Sequence, residues 1–143
     1  MRIGIDGREF VKGKTTGTAR YLHHFLSYGP KQRPDWKFYV FIHDQCEYRN
    51  SNRNVFVQKV PQPTTFLWDQ CVLPGLLKHF KIDQFLNPYL KYPLFSSCPM
   101  ALILNDLAAF QHTFVTGIKY FFQNLYFQSF VKGAVQKLSL IHI

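Results

Sequence analysis

The sequence predicts an α/β fold of the Rossmann-like type, in which a largely parallel sheet is flanked by helices. Two observations lead to this prediction. Short runs rich in β-branched and aromatic residues alternate with stretches whose apolar residues recur at helical spacing. The first run, Arg2–Asp6, passes through a glycine-bearing loop directly into an amphipathic helix. Such alternation is typical of strand–helix–strand units with right-handed crossovers, which build parallel sheets.

Five strands are predicted from these runs. They lie at Arg2–Asp6, Lys37–Ile42, Val55–Val60, Gln84–Leu86 and Ala101–Leu104. The polar stretch between the second and third strands, residues 44–54, is interpreted as a surface loop without recognisable chemistry.

Two helices are predicted between the strands. The first is capped by Thr16 or Thr18 and is expected to stop at Gly29–Pro30, because proline lacks the N–H that a helix interior needs. The second is expected over Thr65–Phe80, with Pro74 bending or splitting it.

A third helix is predicted at Gly117–Lys137, where aromatic residues occupy nearly every face. A helix that is apolar on most faces is usually buried. We therefore expect it to pack against the sheet or against a further domain, with contact to a membrane interface as the alternative.

Composition limits the chain to one domain and favours anionic partners. Its 143 residues, 47% of them hydrophobic, can bury one sizeable core but not two. Lys and Arg number 17 against 8 Asp and Glu, which gives a formal net charge of +9. This excess favours phosphates or an anionic membrane surface, although a merely basic surface would have the same composition. No common nucleic-acid-binding motif is present, so a nucleic-acid partner is not expected.

The cysteines and histidines indicate neither a disulfide framework nor a metal site. Cys46, Cys71 and Cys98 are widely spaced and odd in number, and the six histidines show no metal-ligand spacing. Free, buried thiols in a reducing compartment are expected. The sequence opens without a secretory signal and contains no apolar run long enough to span a bilayer, so a cytoplasmic location is expected.

The loop after the first strand is typical of a phosphate site. Backbone N–H groups in a loop with little side-chain bulk, and the N-terminus of the following helix, can both face an anion. Ligands of parallel sheets bind at the carboxyl ends of the strands. This rule places the loop Gly7–Gly17, the turn Asn87–Pro88 and the pair Asn105–Asp106 on one edge.

A P-loop nucleotide hydrolase is a lesser alternative, since Gly13-Lys14-Thr15 follows the first strand. The spacing disagrees with it. Arg8 stands where a P-loop needs glycine, and Thr16 and Gly17 intervene before the helix begins.

Five segments together carry a family resemblance. They are Met1–Arg8, Thr16–Tyr21, Trp68–Gln70 with Leu73–Pro74, Asp83–Pro88 and Ala101–Leu107. In order and rough spacing, over residues 1–137, they resemble the N-terminal half of family 4 glycosyltransferases of the GT-B type.

The resemblance implies a retaining enzyme that moves a sugar from a nucleotide-sugar to a polysaccharide or lipid-linked acceptor at the inner face of a bacterial membrane. No metal or other cofactor is implied. Thr16, Gly17 and Thr18 would face the donor diphosphate, or would form a tight turn with no ligand. Arg20 could reach a phosphate or pair with a surface carboxylate.

The resemblance also implies a catalytic edge formed by Asn105 and Asp106. Asp106 would bind a sugar or acceptor hydroxyl, and Asn105 could orient one. The family usually has His where this chain has Asn105, and an amide cannot transfer a proton near neutral pH. It usually has Gly where this chain has Ala19, which is a mild change. Trp68–Gln70 would brace the acceptor side, or would be a core tryptophan with two surface neighbours.

Residues 1–137 are therefore expected to form one acceptor-side domain. Leu138–Ile143 reads like a translated sequencing adapter and is expected to be non-native. The C-terminal donor-binding domain of a GT-B enzyme is expected to be absent, which would leave this chain inactive alone. The alternative is a non-catalytic basic α/β module that binds phosphate-bearing ligands.

Overall fold

The computed structural model describes residues 1–61, 64–89 and 93–103. Its elements are β1 (Arg2–Asp6), α1 (Gly17–Gln32), β2 (Lys37–Ile42), β3 (Val55–Lys59), α2 (Thr65–Leu67), α3 (Leu73–His79), β4 (Gln84–Asn87) and β5 (Met100–Leu102), with a π-helical segment at Trp68–Val72 between α2 and α3. The predicted third helix, Gly117–Lys137, and the predicted non-native tail lie outside the described residues.

The five strands form one parallel sheet in the order β3-β2-β1-β4-β5. β1 lies at its centre, where Ile5 is paired with Val40 of β2 and Leu86 of β4. This sheet with its flanking helices confirms the predicted Rossmann-like α/β fold. The predicted bounds of β1 and β2 are confirmed, and those of β3, β4 and the start of β5 differ by one residue. The predicted end of β5, at residue 104, lies outside the described residues.

Each face of the sheet is covered by its own hydrophobic cluster. On the α1 face, Ile3 and Ile5 pack with Leu22 and Leu26. On the α3 face, the buried residues are Phe41, Trp68, Leu73, Leu77, Ile82 and Phe85. A Cβ on Gly4 would lie only 3.0 Å from Ile82 Cγ2, so glycine in β1 lets the α3 layer approach the sheet closely.

The N-terminus of α1 is capped as predicted by one of the two candidate threonines. Thr16 Oγ1 accepts a hydrogen bond of 3.0 Å from the Ala19 N–H, which satisfies a donor that the first turn cannot pair internally. The predicted stop at Gly29–Pro30 is wrong. The helix continues to Gln32 with Pro30 inside it.

Asparagine side chains from the 44–54 loop explain why Pro30 does not end α1. Pro30 has no N–H to donate to the Leu26 carbonyl one turn earlier. Asn50 and Asn52 donate to that carbonyl instead, at 3.1 and 3.2 Å. Asn54 Nδ2 then contacts three more carbonyl oxygens at 3.0 to 3.2 Å, those of Pro30, Arg33 and Trp36. The loop therefore supplies the hydrogen bonds that the proline removes.

The second predicted helix, which Pro74 was expected to bend or split, is interrupted just before Pro74. α2 leads into the π-helical segment, and Pro74 lies in the first turn of α3, where a missing N–H is tolerated. The N–H of Leu73 reaches the Trp68 carbonyl, five residues back. This wider turn buries both Trp68 and Asp69.

All three cysteines are free thiols. Cys46 is buried and Cys98 half-buried, and burial raises the pKa of both. Cys71 is exposed, so the expectation of buried thiols is wrong for this residue, which lies in the π-helical segment on a side away from the core.

Within the described part of the chain, no helix has the length and apolar character needed to cross a membrane.

We predict that Asn54→Ala lowers the free energy of unfolding by about 1–3 kcal/mol, because carbonyl oxygens at the end of α1 and just after it lose a partly buried donor. Urea denaturation measures the change. Ser51→Ala, an exposed neighbour in the same loop, serves as the control and should stay within about 0.5 kcal/mol of the unmodified chain. Equal losses in the two variants would contradict this role of Asn54.

Candidate functional site

The topology creates a crevice between the carboxyl ends of β1 and β4. From β1 the sheet extends through β2 and β3 in one direction and through β4 and β5 in the other. The two sides are covered on opposite faces by α1 and α3. Such a switch point is where open α/β sheets bind ligands. Asp6 ends β1 at this point, and Asn87 ends β4.

A buried arginine occupies this crevice. Arg8 Nε lies 3.0 Å from both carboxylate oxygens of Asp6, and its Nη2 lies 2.7 Å from Asp6 Oδ2. The same Nη2 lies 2.8 Å from Asp69 Oδ1. The Arg8 side chain is 9% exposed, and the two carboxylates are 0% and 1% exposed. One guanidinium thus joins the end of β1 to the π-helical segment.

Two aromatic rings enclose the guanidinium. Arg8 Cζ lies 4.8 Å from the Tyr89 ring centroid and 5.5 Å from that of Trp68, which is within cation–π range. The indole N–H of Trp68 has no hydrogen-bond partner among the described residues, so packing and the cation hold this ring. We call Asp6, Arg8, Trp68, Asp69 and Tyr89 the Arg8 cluster.

The charge of Arg8 is secured by its partners. Burial alone would lower the pKa of Arg8, but the carboxylates of Asp6 and Asp69 outweigh burial and raise it. The pKa of Tyr89 is raised as well. Burial, and then the negative charges of Asp6 and Glu9, raise its pKa far above the usual value for tyrosine, so its hydroxyl stays protonated.

Glu9 relates the cluster to the start of α1. Its negative charge acts on the Tyr89 hydroxyl, and Glu9 Oε2 accepts a 2.7 Å hydrogen bond from Thr16 Oγ1. Thr16 in turn caps α1. The backbone N–H of Tyr89 donates to Asn87 Oδ1 at 3.1 Å, which shapes the turn after β4. The helix N-terminus is therefore held at the carboxyl edge beside the crevice.

The predicted donor-binding residues lie at this edge in different environments. The hydroxyl of Thr16 is engaged with Glu9 and with the helix. Gly17 is exposed at the first position of α1, and a Cβ built there would meet nothing within 4 Å. Thr18 is half-buried, and Arg20 is exposed.

Two of the three segments predicted to share an edge do so. The Gly7–Gly17 loop follows β1 and the Asn87–Pro88 turn follows β4, and these strands are paired neighbours. The third segment, with the predicted catalytic residues Asn105 and Asp106, lies outside the described residues.

The predicted site residues do not include the centre of the site. From the sequence, Arg8 stands out only as a residue that disagrees with a P-loop, and Asp69 is expected to be a surface neighbour or an acceptor-side brace. Asp69 is instead buried against Arg8. The available signal was an acidic residue that ends an apolar strand with arginine two positions later, as in Asp6-Gly7-Arg8.

Among the residues that the structure describes, no group of three or more His, Cys, Asp or Glu side chains is arranged to hold a metal ion.

Comparisons with protein families, with curated proteins and with solved structures found no match to this chain.

We predict that Arg8→Met lowers the free energy of unfolding by about 3–5 kcal/mol, because two buried carboxylates lose their cation. Arg8→Lys keeps the positive charge but not the forked contact with the carboxylates, so it should lose less stability than Arg8→Met. Chemical denaturation measures both variants. Arg53→Met, at an exposed position, is the control and should change stability by less than about 0.5 kcal/mol. A loss for Arg8→Met no greater than for the control would show that the cluster is not a stabilising element.

The raised pKa of Tyr89 predicts a loss of stability at alkaline pH. Above the ordinary tyrosine pKa of about 10, the unfolded chain releases a proton that the folded chain keeps, so stability falls as pH rises. In the Tyr89→Phe variant, the free energy of unfolding should fall less steeply with pH than in the unmodified chain, by up to about 1.4 kcal/mol per pH unit. The measurement is urea denaturation between pH 9 and 11. Tyr28→Phe, at a residue 65% exposed, should leave the slope unchanged, and identical slopes in both variants would refute the assignment to Tyr89.

Proposed function

We propose that this chain is the acceptor-side N-terminal domain of a retaining GT-B glycosyltransferase resembling family 4. The whole enzyme would transfer a sugar from a nucleotide-sugar to a polysaccharide or lipid-linked acceptor of the bacterial cell envelope. It would act in the cytoplasm or at the inner membrane face. The donor-binding half would be a second domain, and the present chain alone would be inactive.

The single observation that supports this proposal most is the open space at Gly17. The Gly17 backbone is not in the left-handed region, and no described atom lies where its side chain would begin. The described part of the fold therefore does not itself require glycine at this position. A ligand whose phosphate approaches the backbone closely does require it.

The environment of Gly17 also suits a diphosphate leaving group. The N-terminus of α1 carries partial positive charge and lies at the carboxyl edge of β1. Because the Thr16 hydroxyl is engaged with Glu9 and Ala19, we assign phosphate contact near this residue to backbone N–H groups. Such donors can stabilise the negative charge that develops as the bond between sugar and oxygen breaks.

Within this proposal the remaining residues have separate tasks. Because the Arg8 guanidinium is engaged with Asp6 and Asp69, we assign Arg8 the task of positioning the loop that leads to Gly17. Asp106 would bind a sugar or acceptor hydroxyl and Asn105 would orient one. Thr18 would complete the phosphate side with Thr16 and Gly17, together with Arg20 if its side chain extends to the same phosphate.

The test begins with the source reading frame beyond the codon for Lys137. We expect it to continue into a second α/β domain, and we expect the resulting longer protein to transfer sugar from a nucleotide-sugar. A stop codon shortly after Lys137, or a longer protein with no transfer from UDP-, GDP-, ADP- or dTDP-sugars, would refute the proposal.

In that longer protein we predict that Gly17→Ala lowers sugar transfer about tenfold or more, because a Cβ would keep the diphosphate from the backbone donors. The melting temperature should not fall, since the site has space for the methyl group. Gly75→Ala is the matched control, because its Cβ also meets nothing within 4 Å but lies in α3, away from α1. Equal activities of the two variants would remove Gly17 from the donor site.

A further inference from the structure

A second concave surface lies beside α1, on the side of the sheet that carries β2. It has a volume of about 320 Å³. One wall is the loop from Phe10 to Thr15, and the other is the first turns of α1. We call it the basic cleft, because its polar lining consists mainly of Lys12, Lys14, Arg20, His23 and His24, with Glu47 at the edge.

We propose that the basic cleft binds a phosphate or diphosphate group, carried by a small soluble molecule or by a lipid headgroup. This site lies beside the donor site proposed above and, among the residues assigned to that site, shares only Arg20 with it. Its lining includes no residue of β4, of the π-helical segment or of the turn after β4. The inference therefore does not depend on the glycosyltransferase proposal.

The loop wall of the cleft is fixed by the fold. Val11 forms a bridge with Cys46, and the Glu47 N–H donates to the Phe10 carbonyl at 2.9 Å. The Lys14 N–H closes a turn onto Val11 at 3.1 Å, and Gly13 takes the left-handed conformation with φ of 74° that this turn requires. Lys12 and Lys14 are thus presented from a defined turn.

Positive charge in the cleft is only partly neutralised. Lys12 Nζ lies 3.1 Å from Glu47 Oε1, but both side chains are more than half exposed, so this pair contributes little and exchanges readily. Lys14 and Arg20 form no ion pair with any described residue. Three formal positive charges therefore face one negative charge across the cleft.

The shape of the cleft restricts the ligand to a small one. Its floor is apolar, formed by Phe10, Val11 and Ala19, and the Phe10 ring is stacked on Tyr48 with centroids 4.1 Å apart. A volume of 320 Å³ is at the lower end of small-molecule sites. A phosphate or diphosphate with a small substituent fits this volume, with the anion on the rim between Lys14 and Arg20 and the substituent on the floor.

The experiment measures binding of inorganic pyrophosphate to the complete 143-residue chain by isothermal titration calorimetry at low salt. The test variant is Lys14→Ala with Arg20→Ala. The control variant is Lys31→Ala with Lys78→Ala, which removes the same charge from exposed positions outside the cleft. We expect the test variant to bind pyrophosphate about tenfold or more weakly, since two charged contacts are lost. The control should stay within about twofold of the unmodified chain, since screened charges at a distance contribute little.

A parallel measurement identifies the source of the phosphate. Sedimentation with phosphatidylglycerol vesicles is compared with sedimentation with phosphatidylcholine vesicles, with and without pyrophosphate. Vesicle binding that is lost in the test variant and displaced by pyrophosphate supports the cleft as a headgroup site. Vesicle binding equal in the test and control variants, together with the tenfold loss for pyrophosphate, supports a soluble phosphate ester.

The proposal is overturned if pyrophosphate does not bind at millimolar concentration, or if both double variants weaken it equally. The latter result would mean that net charge alone attracts the anion. Both substituted side chains are exposed, and circular dichroism before each titration verifies that the variants are folded. Gly17→Ala should leave pyrophosphate binding to the cleft unchanged, which separates this site from the proposed donor site.

Discussion

The buried ion pair of Arg8 with Asp6 and Asp69 is the interaction on which the arrangement of the carboxyl edge depends. Burying these charges is costly, and the cost is offset only while the guanidinium keeps both carboxylates within 3 Å. The three residues come from β1, the loop after it and the π-helical segment. Each of these segments must therefore hold its position for the others to remain stable.

The same cluster determines where a ligand can lie. In an open α/β sheet the switch point is a crevice, and here the Arg8 side chain lies in it beside the rings of Trp68 and Tyr89. A ligand at this edge would contact the rim above the cluster, which includes the exposed start of α1 at Gly17. Glu9, whose charge acts on Tyr89 and whose carboxylate accepts a hydrogen bond from Thr16, relates the cluster to that rim.

Close packing of β1 limits the loop that follows it. A Cβ on Gly7 would lie 2.8 Å from Val40 Cγ1 and 2.9 Å from Ile42 Cγ2, so only glycine fits without a shift of these packed side chains. The Gly7 N–H donates to the Phe41 carbonyl at 2.8 Å and extends the pairing of β1 with β2 past the end of the strand. Arg8 therefore leaves the sheet in a defined direction, toward Asp6 and Asp69.

The sequence by itself determined the strands, the parallel α/β class and a cap at Thr16 or Thr18, because runs of β-branched and aromatic residues and helix caps depend on neighbouring residues. It also predicted that the second helix is bent or split at Pro74, and the structure places the interruption at Trp68–Val72, just before that proline. Only the tertiary structure decided that α1 passes through Pro30, since the compensating donors Asn50 and Asn52 come from a distant loop. The Arg8 cluster was likewise decided by the fold. Asp6 and Arg8 are near neighbours in the chain, but the contacts of Arg8 with Asp69, Trp68 and Tyr89 join residues far apart, and no local pattern encodes that these will meet.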